Sequence, residues 1–148
     1  MLECSVIILN WNGEAMLRRY LPSVIQYTQL EGVEIVVADN GSTDASLEFL
    51  HSQPVRIIEL GENLGFAEGY NRAIEQVESK YVVLLNSDVE VTSNWLDTLL
   101  NYARTHEDVA AIQPKVLSWH SKEEARTSGC NAICFEHAGA AGGMLDCL

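Results

Sequence analysis

Runs of consecutive apolar residues alternate along the chain with segments in which apolar residues recur every three or four positions. An unbroken apolar run is typical of a strand buried on both faces, and the wider spacing is typical of an amphipathic helix. The predicted strands are Ser5–Asn10, Val33–Ala38, Val55–Leu60, Tyr81–Leu85 and Val109–Leu117. Pro114 interrupts the fifth strand, and we therefore expect that strand at a sheet edge or a bulge.

Four helices are predicted between and after these strands, each with its apolar residues on one side. They are Glu14–Gln29, a short helix that ends near Ser52, Phe66–Glu78, and a helix after Ser93 with Leu96, Leu99, Leu100 and Ala103 on one face. Pro22 lies inside the first helix, where we expect a kink or a restart. Ser42 or Thr43 is expected to cap the second helix, and Ser93 is expected to cap the fourth.

The alternation of strand and helix predicts an α/β fold with a mostly parallel sheet and helices on both faces. In such folds, ligands bind beyond the carboxyl ends of the strands. Four polar or glycine-rich segments follow predicted strands: residues 10–12, 39–44, 61–66 and 86–90. In residues 118–148, the apolar residues follow neither a helical nor a strand periodicity. We therefore expect one α/β domain over residues 1–117, followed by an irregular segment over residues 118–148.

The amino-acid composition and the net charge exclude several classes of binding partner. The chain has 148 residues, 47% of them hydrophobic, and a net charge of −12, which suits a single globular domain. So acidic a chain is not expected to bind nucleic acid or to adhere electrostatically to an acidic membrane. It has no apolar run long enough to span a bilayer, and its first ten residues do not resemble a signal peptide. Four scattered cysteines without zinc-finger spacing favour reduced thiols in the cytoplasm.

Asp39 directly follows the second predicted strand, so its carboxylate is expected at the ligand-binding edge of the sheet. There it can accept a hydrogen bond from a base N–H or from a ribose hydroxyl. The alternative is an aspartate that accepts a hydrogen bond from the backbone of its own turn. Position alone leaves both interpretations open.

Asn86, Asp88 and Glu90 follow the fourth predicted strand at intervals of two residues. On an extended chain, this spacing places the three side chains on the same side. Oxygen ligands in that arrangement suit Mg²⁺ or Mn²⁺, which usually share their coordination shell with substrate phosphates. The alternative is a polar strand end that precedes a capped helix.

A glycine-containing segment, Asn63–Phe66, leads into the third predicted helix. Gly65 and Gly69 allow the backbone to approach a ligand closely, and the helix N-terminus that follows could face an anion. Arg72 is one of only nine basic residues, which favours a phosphate contact, although an arginine on a helix is more often solvated. The segment has neither the glycine pattern of dinucleotide-binding folds nor a Walker A loop.

Four segments, in this order, resemble the family 2 glycosyltransferases: SVIILNWNG, VVADNGSTDAS, ENLGFAEGYNRAI and YVVLLNSDVEVT. The resemblance extends from Ser5 to about Ser118. It implies the GT-A fold, an α/β/α sandwich that binds a nucleotide. The implied activity is the transfer of a sugar from a nucleotide-sugar to an acceptor, usually with inversion at the anomeric carbon and with a divalent metal ion, Mn²⁺ or Mg²⁺.

The resemblance also implies roles for single residues. Asp39 would bond the nucleobase or the ribose, and Asp88 would contact the metal as the acid of an Asp-x-Asp motif. Asn86 stands in the first position of that motif, where the family often has Asp, and Glu90 is a second candidate metal ligand. The candidate nucleotide-binding residues beside Asp39 are Asn10, Trp11, Asn12, Asn63, Gly65, Asn71, Arg72, Asn86 and Ser87.

The partners implied by the resemblance are a UDP-, dTDP- or GDP-sugar and a saccharide or lipid-linked acceptor, as in polysaccharide biosynthesis for the cell envelope. Peripheral association with the inner face of the membrane is left open, and a free sheet edge could pair two copies into a homodimer. Family members continue past a small Ala/Gly-rich segment into an acceptor region with the catalytic base. We therefore expect this chain to be the donor-binding part, with the base outside it.

Two other interpretations remain at this point. The chain could be a non-catalytic module that binds a nucleotide-sugar or a protein partner. It could also be a flavodoxin-like signalling domain that is phosphorylated on Asp39, although the NLGFA segment and the cluster from Asn86 to Glu90 would then have no role.

Overall fold

The computed structural model describes residues 1–118 and 132–135. The chain forms two compact units, Met1–Asp88 and Val89–Leu148, while the expected boundary after residue 117 stays a prediction. In the first unit, four parallel strands lie in the order β3-β2-β1-β4, which confirms the predicted α/β fold. The elements of this unit are β1 (Leu2–Asn10), α1 (Glu14–Tyr27), β2 (Val33–Asp39), α2 (Ser46–Leu50), β3 (Arg56–Glu59), α3 (Gly65–Ile74) and β4 (Ser79–Asn86).

The strand order determines where the helices lie. From β1 to β3 the chain moves across the sheet in one direction, and from β3 to β4 it returns past β2 and β1. Since crossovers between parallel strands are right-handed, this reversal places α3 on the opposite face from α1 and α2. The reversal also makes the gap between the carboxyl ends of β1 and β4 a topological switch point, where α/β folds bind their ligands.

Apolar side chains form the core beneath α3. Tyr70 is one of its buried members, and its hydroxyl donates a hydrogen bond to the Leu85 carbonyl oxygen at 3.0 Å. Burial raises the pKa of Tyr70 to about 12, with a further contribution from the negative charge of Asp88. This bond ties α3 to the last residues of β4. The buried members of this core are Ile7, Val36, Ala38, Ile58, Tyr70 and Ala73.

One face of β4 departs from the prediction of a strand buried on both sides. Val82 is 37% exposed and Leu84 is 53% exposed. These residues pair in register with Ser5 and Ile7 of β1, so they share the face on which α3 packs. Because α3 contacts β1 and β2 and β4 is the outer strand of this sheet among the described residues, the side chains of β4 on that face are left uncovered.

Several predicted helix boundaries were wrong. The helix α1 continues through Pro22 without a restart, and α3 ends at Ile74 rather than at Glu78. The helix α2 begins at Ser46, and neither Ser42 nor Thr43 caps it. Both side chains instead bond the loop after β1, which is a tertiary role that local capping rules do not consider.

The second unit contains a sheet that sequence periodicity did not reveal. Its elements are β5 (Val89–Val91), α4 (Trp95–Thr105), β6 (Lys115–Ser118) and β7 (Ala132–Phe135). The strand β7 pairs with β5 antiparallel and with β6 parallel. The predicted strand over Val109–Leu117 was wrong in its first part, because only the residues after Pro114 form β6. The N-cap of α4 is Asn94, with a positive φ of 59°, instead of the predicted Ser93.

The expected reduced thiols can be compared with the structure at Cys4. Cys4 is buried and carries a free thiol, and burial together with the charge of Glu3 raises its pKa to about 11. This confirms the expected inert thiol at that position, while the side chains of Cys130, Cys134 and Cys147 lie outside the described residues.

Among the described helices, none is both long and apolar enough to cross a membrane.

The turn after β2 packs tightly against the loop between β3 and α3. Gly41 has a φ of +75°, and a Cβ atom at this position would lie 2.6 Å from the Glu62 Cα atom. Gly61 has a similar φ of +85°, but a Cβ atom there would meet no atom of the described residues within 4 Å. Gly41 is therefore required for both its backbone angle and its lack of a side chain, whereas Gly61 is required for its angle alone.

Tyr70→Phe should lower the free energy of unfolding by about 1–2 kcal/mol, because a buried carbonyl loses a hydrogen-bond donor. Tyr102→Phe is the matched control, since that ring is 47% exposed, and it should change the free energy by less than about 0.5 kcal/mol. Urea denaturation followed by circular dichroism measures both. Equal effects of the two substitutions would contradict the stabilising role of the Tyr70 hydroxyl.

Gly41→Ala should be much more destabilising than Gly61→Ala. The positive φ alone costs an alanine about 1 kcal/mol, and the overlap at Gly41 should add about 2 kcal/mol. Thermal and urea unfolding of the two variants give the comparison. Similar losses would show that the two loops are not in close contact in solution.

Candidate functional site

The carboxyl ends of β1 and β2 bring two sequence-predicted residues together. Asn10 and Asp39 are partners in the parallel register, and both are almost fully buried. The Asn10 Nδ2 atom donates a hydrogen bond to Asp39 Oδ1 at 3.0 Å. The backbone follows the same pairing, since the Asn40 amide donates to the Asn10 carbonyl oxygen at 2.7 Å. The two strand ends therefore lie side by side at the carboxyl edge of the sheet.

Asp39 has the turn contact that was considered as the alternative to a ligand role. Its Oδ2 atom accepts a hydrogen bond from the Ser42 amide at 2.9 Å. Within the described part of the chain, each carboxylate oxygen thus accepts one hydrogen bond. Since each oxygen of a carboxylate can accept two, one acceptor position remains on each. The turn contact and a ligand contact are therefore compatible.

The loop after β1 is held against the loop after β2. Asn12 has a positive φ of 48°, and its Oδ1 atom accepts hydrogen bonds from the amides of Thr43 at 2.7 Å and Asp44 at 3.3 Å. The Asn12 amide in turn donates to Ser42 Oγ at 2.9 Å. These contacts leave the neighbouring Trp11 side chain 56% exposed at the sheet edge.

The loop between β3 and α3 carries two more predicted site residues. The Asn63 Oδ1 atom accepts hydrogen bonds from the Gly65 amide at 2.9 Å and from Asn40 Nδ2 at 3.1 Å. Gly65 has a φ of +79° and open space where a Cβ atom would lie. Asn40, which the sequence analysis did not select, is 2% exposed, and its only signal was its place directly after Asp39.

Arg72 lies in the last turn of α3, one residue after the exposed Asn71. Its guanidinium pairs with Glu68 at 2.8 Å and with Glu75 at 3.2 Å, and 54% of the side chain is exposed. Both carboxylates raise the pKa of Arg72. A phosphate would therefore have to compete with two carboxylates on the same helix for this guanidinium.

The segment proposed for the metal does not have the expected shape. β4 ends at Asn86, and the chain turns at Ser87 and Asp88 before β5 begins at Val89. The expectation that Asn86, Asp88 and Glu90 project from one extended strand is therefore wrong, because Ser87 and Asp88 form a turn instead of continuing the strand. Among the described residues, no three His, Cys, Asp or Glu side chains come close enough together to hold a metal ion.

Asn86 and Asp88 nevertheless lie at the switch point. Asn86 is exposed and pairs in register with Leu9 of β1, one residue before Asn10. Asp88 is half-buried and lies near enough to Tyr70 for its charge to raise the pKa of that hydroxyl. One carboxylate and one amide oxygen thus accompany the ends of β1 and β2 at the same edge of the sheet.

Proteins with similar sequences include glycosyltransferases of several bacteria. The sequence is 27% identical to an uncharacterized glycosyltransferase of Haemophilus influenzae over 113 residues, which are 73% of this chain and 35% of that protein. It is 28% identical over 124 residues to the N-acetylglucosaminyl-diphospho-decaprenol L-rhamnosyltransferase of Mycobacterium tuberculosis, covering 75% of this chain and 40% of that one. The chain thus spans well under half the length of these relatives.

A solved structure shares the fold. The structure of S. aureus TarS 1-349 in complex with UDP-GlcNAc superposes with a TM-score of 0.68 at 25% sequence identity. The match covers 78% of this chain and 35% of that chain. The sequence model of the family described as "Glycosyl transferase family 2" matches residues 5–140. With the parallel sheet and the clustered strand ends, this match shows that the chain belongs to glycosyltransferase family 2 and has the GT-A fold.

Proposed function

We propose that this chain binds the nucleotide-sugar donor of a family 2 glycosyltransferase that transfers a sugar to a saccharide or lipid-linked acceptor. The observation that carries the proposal is the buried Asn10–Asp39 pair at the carboxyl edge of the sheet in a chain of this family. The pair lies beside the switch point, where α/β folds bind nucleotides. The same proposal includes inversion at the anomeric carbon and dependence on a divalent metal ion.

The nucleoside is the part of the donor for which the loops after β1 and β2 are best suited. The remaining acceptor positions of Asp39 can receive a base N–H or a ribose hydroxyl. The exposed Trp11 ring offers an aromatic face on which a base can stack. Asn12 holds the two loops together and so keeps Trp11 and Asp39 in a fixed relation.

The diphosphate is proposed to lie near the end of β4. A divalent metal ion bound there would neutralise the diphosphate as it leaves. Mg²⁺ and Mn²⁺ are commonly held by one or two carboxylates with phosphate oxygens completing the shell. Asp88 can supply a carboxylate and Asn86 an amide oxygen, so the residues at this edge fit such an ion without a cluster of three acids. Ser87 and Glu90 are further candidates for this region.

The donor and acceptor classes are supported by the relatives. TarS has been solved with UDP-GlcNAc and with UDP, which favours a UDP-sugar over a dTDP- or GDP-sugar. The name of the mycobacterial relative gives a lipid-diphosphate-linked sugar as its acceptor, which favours a lipid-linked saccharide here. Such an acceptor would place the reaction at the cytoplasmic face of a membrane. A base must remove the proton from the acceptor hydroxyl as that hydroxyl attacks the anomeric carbon.

Calorimetric titration of the 148-residue chain with UDP, dTDP and GDP, with and without Mn²⁺, tests the proposal. We expect one nucleotide, UDP, to bind more tightly with the metal. Asp88→Ala should abolish the gain that Mn²⁺ provides, because the variant lacks the carboxylate proposed to hold the metal ion. Asp108→Ala removes an exposed acid elsewhere in the chain and should leave the gain intact. Equal Mn²⁺ dependence in Asp88→Ala and the wild type would remove Asp88 from the site.

Asp39→Asn should weaken the binding of the nucleotide by about ten- to one-hundredfold, even without metal, since a hydrogen bond to a charged acceptor is lost. The substitution keeps the size of the side chain, but it places an NH2 group against one of the two donors that bond Asp39 in the wild type. The free energy of unfolding of the variant is therefore measured as well, so that a loss of affinity can be compared with a loss of stability. Glu48→Gln on α2 is a control of the same chemical change away from the strand ends. Unchanged affinity in Asp39→Asn would reduce Asp39 to a turn residue.

A further inference from the structure

Asn40 is a buried amide whose side chain is directed at a single loop. It lies directly after β2 and is 2% exposed. Its Oδ1 atom accepts a hydrogen bond from the Leu64 amide at 3.0 Å. Its Nδ2 atom donates to Asn63 Oδ1 at 3.1 Å and to the Gly65 carbonyl oxygen at 3.0 Å. One side chain thus binds three consecutive residues: the last two of the β3–α3 loop and the first of α3.

The backbone of Asn40 is bound as firmly as its side chain. Its amide donates to the Asn10 carbonyl oxygen at 2.7 Å, which continues the pairing of β1 with β2 past the strand ends. Asn40 therefore connects three segments: the end of β1, the end of β2 next to Asp39, and the loop that carries Asn63. These segments contain most of the residues proposed to bind the nucleoside.

Close packing leaves the amide group of Asn40 no other orientation. A Cβ atom on Gly69 would lie 3.3 Å from Asn40 Nδ2 and 2.9 Å from Leu9 Cδ1, so α3 presents bare backbone to this group. The three contacts need two N–H donors and one acceptor on a short side chain. Among side chains of this length, only asparagine supplies them, since aspartate has no donor at neutral pH.

We propose that Asn40 is a positioning residue for the nucleotide, because its amide holds the Asn63–Gly65 segment against the end of β2 and so fixes the loop relative to Asp39. This proposal rests on the proposed function. The side-chain hydrogen bonds of Asn40 go to Asn63, Leu64 and Gly65, so Asn40 would act through this segment. Losing it should loosen the loop and weaken nucleotide binding while leaving the sheet intact.

Hydrogen exchange on the ligand-free chain tests the loop contact independently of any nucleotide. In the wild type, the Leu64 and Gly65 amides should exchange at least about tenfold more slowly than an unprotected loop amide, because each donates to a side-chain oxygen. In Asn40→Ala, exchange at these two amides should accelerate about tenfold or more, while the amides of Val6–Ile8 in β1 keep their rates. Fast exchange at Leu64 in the wild type would overturn the proposal without any variant.

Calorimetry with the nucleotide that binds the wild-type chain then tests the consequence. Asn40→Ala should raise the dissociation constant about tenfold or more, since misplacement of binding groups is costly. Val24→Ala, a buried position on α1, is the control for loss of stability alone and should keep the wild-type affinity. Asn40→Asp retains the acceptor for the Leu64 amide but not the two donors, and it should also weaken binding while leaving Leu64 protected.

The outcomes separate this proposal from the proposed function. If the wild type binds none of UDP, dTDP and GDP with Mn²⁺, the proposed function fails and this inference fails with it. If the wild type binds and Asn40→Ala accelerates exchange at Leu64 without changing affinity, only the positioning role is overturned. An equal loss of affinity in Val24→Ala would also overturn it, because the effect would then follow from stability.

Discussion

The parallel register of β1 and β2 is the constraint on which the candidate site depends. It places Asn10 opposite Asp39 at the end of both strands, with Asn10 donating to the carboxylate. Because the strands run in the same direction, their exits emerge at one edge, and the loops that follow can bond each other. A shift of one residue in this register would turn Asp39 to the other face of the sheet and separate it from its partners.

Burying the Asp39 carboxylate would be costly without those partners. An ionised group removed from water needs hydrogen bonds to compensate for lost hydration. Asn10 Nδ2 and the Ser42 amide provide two: the first comes from the partner of Asp39 in the strand register, and the second from the turn that follows Asp39. The carboxylate is thereby held with a defined orientation, which the proposed contact to a base or a ribose requires. The stability of the strand ends and the proposed nucleoside contact thus depend on the same hydrogen bonds.

Runs of apolar residues predicted the strands of the first sheet correctly. The prediction failed where the position of a strand depends on residues distant in the sequence. The run Val6–Ile8 is buried on both faces as expected, but an equally apolar run in β4 leaves Leu84 half exposed. The pattern of apolar residues along a strand does not show whether that strand lies inside the sheet or at its edge. The strand β7 was missed because it is stabilised by pairing with distant residues of β5 and β6. Strand position, spacing and family resemblance together selected Asp39 and Asp88, but not Asn40, whose contacts appear only when the loop after β3 is seen against it.

Charge gives the last constraint on how such a site can work. A chain with a net charge of −12 repels a diphosphate at long range, and Arg72 is already paired with Glu68 and Glu75. Binding of the proposed nucleotide-sugar would therefore depend on short-range contacts, such as those of side-chain amides and backbone N–H groups. Asp88 and Asn86 would hold the proposed divalent ion, which would supply positive charge near the diphosphate. Asn86 in place of an acid would lower the repulsion of the proposed diphosphate, but it would also bind the proposed ion more weakly, because an amide oxygen carries no net charge.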